Sequence, residues 1–149
     1  MIPTAVADDI AAAVLLKGLT AHYLLRRTYP VKKGDHILFH AAAGGVGMIA
    51  VQWASALGAI VIGTVGNQEK VPFAQRLGCA HVIVSRQENI ANRVREITGG
   101  QGVPVVYDSI GRDTFMASLD SLAPLGLFVS FGNASGPVPP FDADRKSVV

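Results

Sequence analysis

The chain has 149 residues, of which half are hydrophobic and 16% are charged, and its formal net charge is only +2. This length fits one domain that is long enough to bury a real core. No uninterrupted apolar stretch of about 18 residues occurs, which excludes a membrane span. The basic residues are scattered, which excludes a nucleic-acid-binding face. We expect a soluble globular protein, and the high apolar share favours a parallel sheet covered on both faces.

Cysteine and histidine are too sparse for the usual metal sites. Cys79 is the only cysteine, and the four histidines are scattered along the sequence. An internal disulfide is therefore excluded, and none of the usual closely spaced sets of metal ligands is present. The first residues, from Met1 to Asp9, lack the basic and apolar regions of a secretory signal. We expect a cytoplasmic protein that binds no metal and has no membrane partner.

Helical and strand-like patterns alternate along the chain. A helix from about Asp9 to Arg27 comes first, and short runs with the composition of β-strands follow it. The predicted strands are His36–His40, Ile60–Val65, His81–Val84, Val103–Asp108 and Leu127–Phe131. The predicted helices between them are about Val46–Leu57, Gln68–Leu77, Glu88–Thr98 and Arg112–Leu122. Such alternation is typical of βαβ units on a parallel sheet.

Right-handed crossovers wind these five strands into an open sheet, most simply in the order 3-2-1-4-5. We therefore predict an α/β fold with a Rossmann-type doubly wound parallel sheet, as one domain over residues 1–149. A complete dinucleotide-binding fold would add a sixth strand. The last residues, which include Asp142, Asp144, Arg145 and Lys146, do not reach one. Because both ends look abrupt, we expect a piece of a longer chain.

A glycine-rich segment, Ala41–Gly47, lies between the first predicted strand and the next helix. Gly44 lets the backbone approach a pyrophosphate, and Gly47 lets the helix pack closely on the strand. The helix N-terminus adds free N–H groups and a partial positive charge. Ala42 replaces the first glycine of the usual Gly-x-Gly-x-x-Gly motif. The position between strand and helix nevertheless predicts a dinucleotide site.

The end of the second strand indicates which dinucleotide binds. Domains selective for NAD place Asp or Glu there to bond the ribose 2′-hydroxyl, and that carboxylate would repel a 2′-phosphate. Here the stretch is Thr64–Asn67, which has no acid, and Lys70 follows on the first turn of the next helix. A lone lysine is more often simply solvated. The missing acid nevertheless favours NADPH, with Lys70 near its 2′-phosphate.

Several runs together resemble a known family. The chain is similar to the cofactor domain of NADPH-dependent quinone oxidoreductases, the zinc-free, zeta-crystallin-like branch of the medium-chain dehydrogenases/reductases. The matching runs are Leu16–Ala21, Phe39–Gly47, Gly63–Gly66, Val106–Thr114 and Ser130–Gly136. They span nearly the whole chain and are far more specific together than any one of them.

The resemblance implies roles for individual residues. Lys17 and Thr20 are expected near the nicotinamide, Gly45 and Val46 at the pyrophosphate, and Lys70 at the 2′-phosphate. Phe131, Gly132 and Asn133 are expected to line the nicotinamide pocket. Zinc-dependent relatives carry a ligand cysteine where Lys17 stands, which argues against a catalytic zinc. The full set of expected cofactor-binding residues is Lys17, Thr20, Gly44, Gly45, Val46, Gly47, Gly66, Asn67, Lys70, Ser85, Phe131, Gly132 and Asn133.

One departure and several roles stay open. After the third strand the family usually has Asn-Tyr, with the tyrosine near the adenosine phosphate, whereas this chain has Val84-Ser85 followed by Arg86. Ser85 can hydrogen-bond that phosphate and Arg86 can neutralise it. Tyr107 and Asp108 either contact the cofactor or support the fold. His40 either bonds locally or donates a proton, and Cys79 either packs in the core or carries a reactive thiol.

The implied reaction of the full enzyme is hydride transfer from NADPH to a quinone. An alternative is reduction of α,β-unsaturated carbonyls (enals or enones) within the same family, and another is a dinucleotide-binding module without turnover. A methyltransferase is a third alternative, although it usually has an acid after the second strand. In this family substrate recognition rests largely on an N-terminal domain not present here, so we expect the isolated chain to bind NADPH but not to reduce quinones. The full-length enzyme is expected to be a homodimer.

Overall fold

Five mainly apolar runs form the strands of one parallel sheet in the computed structural model, which describes residues 3–141. The strands are β1 His36–Phe39, β2 Ile60–Val65, β3 Cys79–Val84, β4 Val103–Asp108 and β5 Leu122–Ser130. Their order is β3-β2-β1-β4-β5, which confirms the predicted topology. Leu38 of the central strand pairs with Ile62 of β2 on one side and with Val106 of β4 on the other. The charged residues from Asp142 to Lys146 lie outside the described range.

One helix precedes β1, and the others occupy the connections between the strands. The helices are α1 Asp8–Tyr23, α2 Gly47–Ala56, α3 Val71–Arg76, α4 Ile90–Ile97 and α5 Phe115–Ser121. A π-helical turn, Leu24–Thr28, continues α1, and a 3-10 turn, Gln68–Lys70, precedes α3. Each predicted helix is present, although the observed ones are shorter because their end turns adopt other geometries.

Strand residues alternate between two apolar layers. Ile37, Phe39 and Val61 face a core layer that includes buried residues of α1, α2 and α3. Leu38 and Ile62 face a second layer, with residues of α4 and α5. Burial of each large aliphatic side chain contributes about 1.5–3 kcal/mol, so the alternation fixes the register of every strand. The sheet is therefore covered on both faces, as its apolar composition predicts.

The last strand differs from its predicted start. β5 begins at Leu122, directly after α5, and not at Leu127. Pro124 and Gly126 suggest a turn in the sequence, but β5 pairs only with β4 among residues 3–141, and an edge strand tolerates such residues. The pairing with β4 shifts register between Val103 and Val105, and Leu125 adopts a φ of 61°. A bulge thus absorbs the residues that the sequence suggests as a loop.

Helix α1 exposes an apolar surface. Its side chains at Ile10, Val14, Leu15, Leu16 and Leu19 are 42–77% exposed. Between residues 3 and 141, no helix combines the length and the apolar character that crossing a bilayer requires. The surface is therefore available for contacts with other parts of a protein.

Candidate functional site

A cleft of about 360 Å³ opens along the carboxyl ends of the strands. In open α/β sheets, ligands bind at this edge where neighbouring strands send their connections to opposite faces. Here β1 and β4 are such neighbours, because α2 after β1 and α5 after β4 pack on different layers. The lining residues are Ala41, Thr64, Val65, Gly66, Ser85, Arg86, Ile90, Ile110, Asp113, Thr114, Ala134 and Ser135.

The turn after β1 holds its backbone close to the start of α2. Ala41 adopts a left-handed conformation with φ of 51°, and Gly44 N donates a hydrogen bond to Ala41 O at 2.8 Å. A side-chain carbon on Gly47 would lie 2.4 Å from Ala41 O and 2.5 Å from Ala42 O. Only glycine therefore permits α2 to begin so close to the turn.

Ala42 stands where the usual motif has its first glycine, and the local geometry accommodates it. The left-handed residue of the turn is the preceding Ala41, so Ala42 needs no positive φ. The Ala42 N–H donates to Thr64 O at 2.9 Å, and the side chain is fully buried. The departure from the motif therefore leaves the turn intact.

The loop before α2 carries unpaired donors. The N–H groups of Gly45 and Val46 donate to no acceptor within the part of the chain that the structure describes. Lys17 extends from α1 over this loop, since a carbon added to Gly45 would lie 2.9 Å from Lys17 Cε and 3.5 Å from Nζ. A helix N-terminus with free N–H groups and an ammonium group beside it suits a phosphate.

The end of β2 carries no acidic side chain, because Gly66 and Asn67 follow Val65. Asn67 Oδ1 accepts a hydrogen bond from Lys70 N at 3.3 Å and so caps the 3-10 turn. A carbon on Gly66 would meet nothing within 4 Å, which leaves space at the cleft. Lys70 is exposed and is not among the lining residues, whereas Arg86 is.

Ser85 and Arg86 follow β3, the strand next to β2. Both the N–H and the hydroxyl of Ser85 donate to Val65 O, at 2.9 and 3.2 Å. Arg86 is exposed and forms no ion pair with another residue in the range 3–141. This wall of the cleft therefore presents an unpaired cation beside the acid-free end of β2.

Asp108 ends β4 and is fully buried. Its carboxylate accepts hydrogen bonds at 2.7–3.0 Å from Ile110 N, Gly111 N, Thr114 Oγ1 and Ser118 Oγ. Burial alone would raise the pKa of Asp108, but the nearby His40 ring and these donors hold it below its usual value. Asp108 is not a lining residue, and its contacts shape the loop between β4 and α5.

Tyr107 is buried one position earlier in β4. Its hydroxyl donates to Leu24 O at 3.2 Å, and its ring packs on Phe39 with 5.4 Å between centroids. Burial raises the pKa of Tyr107, so the phenol stays protonated. Of the two roles open for Tyr107 and Asp108, the geometry therefore favours support of the fold.

His40 follows β1 and is fully buried. Its Nδ1 lies 3.1 Å from Thr64 Oγ1, and its Nε2 lies 3.0 Å from Ser118 Oγ. Burial lowers the pKa of His40 to about 4, which outweighs the raising effect of Asp108. The ring is therefore neutral at neutral pH, and both nitrogens are engaged inside the protein. This favours local hydrogen bonding over proton donation to a ligand.

The segment after β5 lies beside the loop that follows β4. Phe131 N donates to Asp108 O at 2.9 Å, and the Phe131 ring packs on Phe39 with 5.7 Å between centroids. A carbon on Gly132 would lie 3.0 Å from Ser109 O, so the two loops are in close contact. Asn133 is exposed, next to the lining residues Ala134 and Ser135.

The structure brings some of the predicted residues to the cleft and places others around it. Gly66 and Ser85 line it, whereas Gly44, Gly45, Val46 and Gly47 form the adjoining loop beneath Lys17. The Thr20 hydroxyl donates to Leu16 O at 2.9 Å within α1. Sequence reasoning missed the lining residues Ile110, Asp113, Thr114, Ala134 and Ser135. Their positions directly after β4 and β5 were the signal that could have found them.

Known proteins resemble this chain in both sequence and fold. A family model described as zinc-binding dehydrogenase matches residues 45–148. The chain belongs to this family. The five-stranded sheet and its flanking helices match solved structures of the same family, which confirms the predicted fold class.

Individual relatives are close in sequence. A quinone oxidoreductase of Salmonella typhimurium is 60% identical over 138 residues, which are 93% of this chain and 42% of the relative. A 2-haloacrylate reductase of a Burkholderia species is 55% identical over 134 residues, which are 89% of this chain and 40% of the relative. The crystal structure of Escherichia coli quinone oxidoreductase complexed with NADPH gives a TM-score of 0.93 at 55% identity, covering 95% of this chain and 44% of that one. The chain thus spans about two-fifths of these relatives' length.

The family description names zinc, but the residues described here do not fit a zinc ion. No group of three or more His, Cys, Asp or Glu side chains between residues 3 and 141 is arranged to hold a metal. Burial raises the pKa of the Cys79 thiol to about 11, whereas zinc binds the thiolate. A carbon on Gly63 would lie 2.5 Å from Cys79 Sγ, so the thiol packs tightly against β2.

Proposed function

We propose that residues 1–149 are the NADPH-binding domain of an oxidoreductase that transfers hydride from NADPH to a quinone. The observation that carries this proposal is the turn after β1. There Gly47 permits α2 to start against the backbone of Ala41, and the N–H groups of Gly45 and Val46 have no acceptor among residues 3–141. NADPH would supply the hydride, and the residues of this chain would bind and orient the cofactor.

The preference for NADPH over NADH rests on charge. No carboxylate at the end of β2 would repel a 2′-phosphate, and Arg86 lines the adjoining wall without an acidic partner among the described residues. Lys70 adds a second exposed cation at the start of α3. An anion near two unpaired cations gains charge-assisted hydrogen bonds that NADH cannot form.

The other proposed contacts with the cofactor come from the segments around the cleft. In this proposal Gly45 and Val46 donate to the pyrophosphate. Lys17 and Thr20 approach the nicotinamide end from α1. Phe131–Asn133 line the nicotinamide pocket. Ser85, after β3, holds the adenosine phosphate by exchanging the bond from its hydroxyl to Val65 O for one to the phosphate.

The substrate proposed for the whole enzyme is a small-molecule quinone, because relatives with 56–60% identity are named quinone oxidoreductases. The 2-haloacrylate reductase at 55% identity supports a second candidate, reduction of a carbon–carbon double bond activated by a carbonyl group. We also propose that the full-length enzyme is a cytoplasmic homodimer. The exposed apolar side chains of α1 support additional contacts with the rest of that enzyme.

Calorimetry on the purified chain tests the cofactor assignment. NADPH, NADH and S-adenosylmethionine are titrated separately, and NADPH is expected to bind most tightly. Gly45→Asp is the control variant, because a carboxylate beside the free N–H groups repels a phosphate; circular dichroism checks its fold. Tighter binding of S-adenosylmethionine would point to a methyltransferase, and equal binding of NADH would refute the proposed selectivity.

An absorbance assay tests the reaction. Full-length enzyme is expected to oxidise NADPH with 1,4-benzoquinone faster than with 2-haloacrylate, and to saturate in both substrates. In this proposal the acceptor is positioned by the part of the relatives that this chain does not span, and such positioning is worth about 7–11 kcal/mol. The isolated chain is therefore expected to bind NADPH without turnover. If the full-length protein oxidises NADPH with neither acceptor, the binding-module alternative is supported instead.

A further inference from the structure

Two separate parts of the chain form the walls of the cleft. Ala41 and Thr64, at the ends of β1 and β2, belong to the first wall, and Ile110 and Thr114, after β4, belong to the second. A cofactor that contacts both walls requires a fixed distance between them. His40 lies buried beneath the cleft and contacts a side chain connected to each wall.

The direction of each hydrogen bond on the second side follows from Asp108. A carboxylate only accepts, so the Ser118 hydroxyl, 2.7 Å away, must donate its proton to Asp108 Oδ2. The Ser118 oxygen therefore accepts from His40 Nε2 at 3.0 Å. This places the proton of the imidazole ring on Nε2.

The direction on the first side follows in turn. A neutral ring with its proton on Nε2 has an acceptor at Nδ1, so Thr64 Oγ1 donates to it at 3.1 Å. The Thr64 oxygen then accepts from Ala41 N at 3.3 Å, at the left-handed residue of the turn. A single chain of donors therefore runs from Ala41 through Thr64 to His40, and a second runs from His40 through Ser118 to Asp108.

We propose that His40 is a positioning residue that fixes the distance between the two walls of the cleft. Its Nδ1 accepts a hydrogen bond on one side, and its Nε2–H donates one on the other. The consequence for binding rests on the proposed function, because it assumes a cofactor that spans both walls. Asp108 connects the network to the second wall, since it also binds Ile110 N and Thr114 Oγ1. His40 contacts no ligand in this proposal and acts through its neighbours.

The unmodified chain offers a first test that needs no cofactor. Long-range ¹H–¹⁵N correlation spectra at neutral pH distinguish the two neutral tautomers of histidine and the cation. The Nε2–H tautomer of His40 is expected. The Nδ1–H tautomer would reverse both deduced bonds, and a protonated ring would reverse the bond with Thr64. Either result would overturn the proposal, whatever the chain binds.

Ligand binding supplies the second test, with two buried serines of α5 as a matched pair. The Ser118 hydroxyl belongs to the network, whereas the Ser121 hydroxyl donates to Ala117 O within the helix. The ratio of the NADPH affinity to the 2′,5′-ADP affinity measures how much binding free energy a ligand gains from contacts with the second wall. Ser118→Ala is expected to lower this ratio by about twofold to thirtyfold, the range given by coupling energies of about 0.5–2 kcal/mol. Ser121→Ala is expected to leave it unchanged.

Variants of His40 separate its two nitrogens. His40→Gln can retain a donor near Ser118, His40→Asn can retain an acceptor near Thr64, and His40→Phe retains neither. The ratio is expected to fall most for the Phe variant. A role in stability alone would weaken both ligands equally and leave the ratio unchanged, which would overturn the proposal. Failure of the unmodified chain to bind NADPH would instead contradict the proposed function, and the tautomer would still decide the network.

Discussion

The two walls of the cleft are built by different means. The first wall depends on backbone approach, because Gly47 has no room for a side chain beside the carbonyl groups of Ala41 and Ala42. The second wall depends on side-chain hydrogen bonds, because Asp108 binds the loop before α5 through two N–H groups and through Thr114. A glycine required by close approach is visible in the local sequence, whereas a hydrogen-bonded network joins residues that are far apart in the sequence. The two walls therefore differ in how they respond to substitution.

The largest effect is expected where backbone crowds backbone. Gly47→Ala places a carbon 2.4 Å from Ala41 O, and neither group can move without displacing α2. We expect a loss of about 3 kcal/mol in the free energy of unfolding, at the upper end of overpacking effects. Urea denaturation measures it.

Gly18→Ala is the control for this substitution. Gly18 lies inside α1 with nothing within 4 Å of an added carbon. Replacing a mid-helix glycine is expected to stabilise the chain by about 0.5–1 kcal/mol, a change of opposite sign. Similar losses for the two variants would mean that close approach at Gly47 is not what forms the first wall.

The pH dependence of stability tests the network behind the second wall. His40 titrates near 6.5 when unfolded and at about 4 when folded. Between these values the unfolded chain binds a proton that the folded chain does not, so stability falls as the pH decreases from about 6.5 to about 4. The full loss is about 3 kcal/mol at 1.36 kcal/mol per pH unit. Asp108, whose pKa is lowered from 3.8, loses its contribution at more acidic pH.

Urea denaturation at a series of pH values measures this loss. His40→Gln is expected to flatten the profile between about pH 6.5 and pH 4, because no imidazole remains to be protonated at this position. His81 is exposed on β3, so His81→Gln serves as the control and should keep the slope of the unmodified chain. A profile equally steep in both variants would show that burial of His40 does not control acid stability.

Local patterns predicted most of the fold because each element buries one apolar face. Short strand-like runs alternating with helical patterns identified the five strands, and right-handed crossovers predicted their order. The start of β5 was wrong, since Pro124 and Gly126 belong to a bulge on an edge strand whose pairing only three dimensions reveal. The glycine loop was recognised because its requirement for glycine is steric and involves residues that are close in sequence.

The second wall could not be predicted in the same way. His40 and Ser118 are 78 residues apart, and neither residue type marks a site on its own. Their contact arises because β1 and β4 are adjacent in the sheet, which places α5 beside the end of β1. A sequence pattern contains the order of the strands but not the rotamers that join their ends. The identity of a buried hydrogen-bond partner therefore had to come from the structure.

Removing the charge of Asp108 is expected to have a smaller effect than the two changes above. Asp108→Asn keeps the size of the side chain but replaces one acceptor oxygen with an NH₂ group that faces donors. We expect a loss of about 2 kcal/mol at neutral pH, within the range for hydrogen bonds to a charged group. Thermal or urea unfolding measures it.

The matched control is Asp113→Asn in the same loop. The Asp113 side chain is exposed and lies 3.3 Å from Arg112 in a surface ion pair. A change within about 0.5 kcal/mol is expected, as for most surface substitutions. Equal losses for the two aspartates would indicate that the buried contacts of Asp108 do not stabilise the second wall.

The smallest expected effect concerns the two cations proposed for the 2′-phosphate, Lys70 and Arg86, of which only Arg86 lines the cleft. Lys70→Ala and Arg86→Ala are both expected to weaken NADPH binding in calorimetry and to leave NADH binding almost unchanged. Arg76, at the end of α3 with its guanidinium 5.7 Å from the centre of the Phe73 ring, supplies the control variant Arg76→Ala. Losses of equal size for NADPH and NADH would remove both residues from the 2′-phosphate site.

The relative size of the two losses follows from position. Arg86 lines the cleft, whereas Lys70 lies outside its lining and is held by its backbone to Asn67. A charge-assisted hydrogen bond from Arg86 at the cleft wall would contribute about 1.5 kcal/mol, or roughly tenfold in affinity. The attraction of the more distant Lys70 for the phosphate would be weaker, because salt screens it. Arg86→Ala should therefore cost more than Lys70→Ala, and the excess should persist at high ionic strength. A larger and salt-resistant loss for Lys70→Ala would place the 2′-phosphate beside Lys70, at the start of α3. The glycine loop and Lys70 would then mark the position of the cofactor more accurately than the residues that line the cleft.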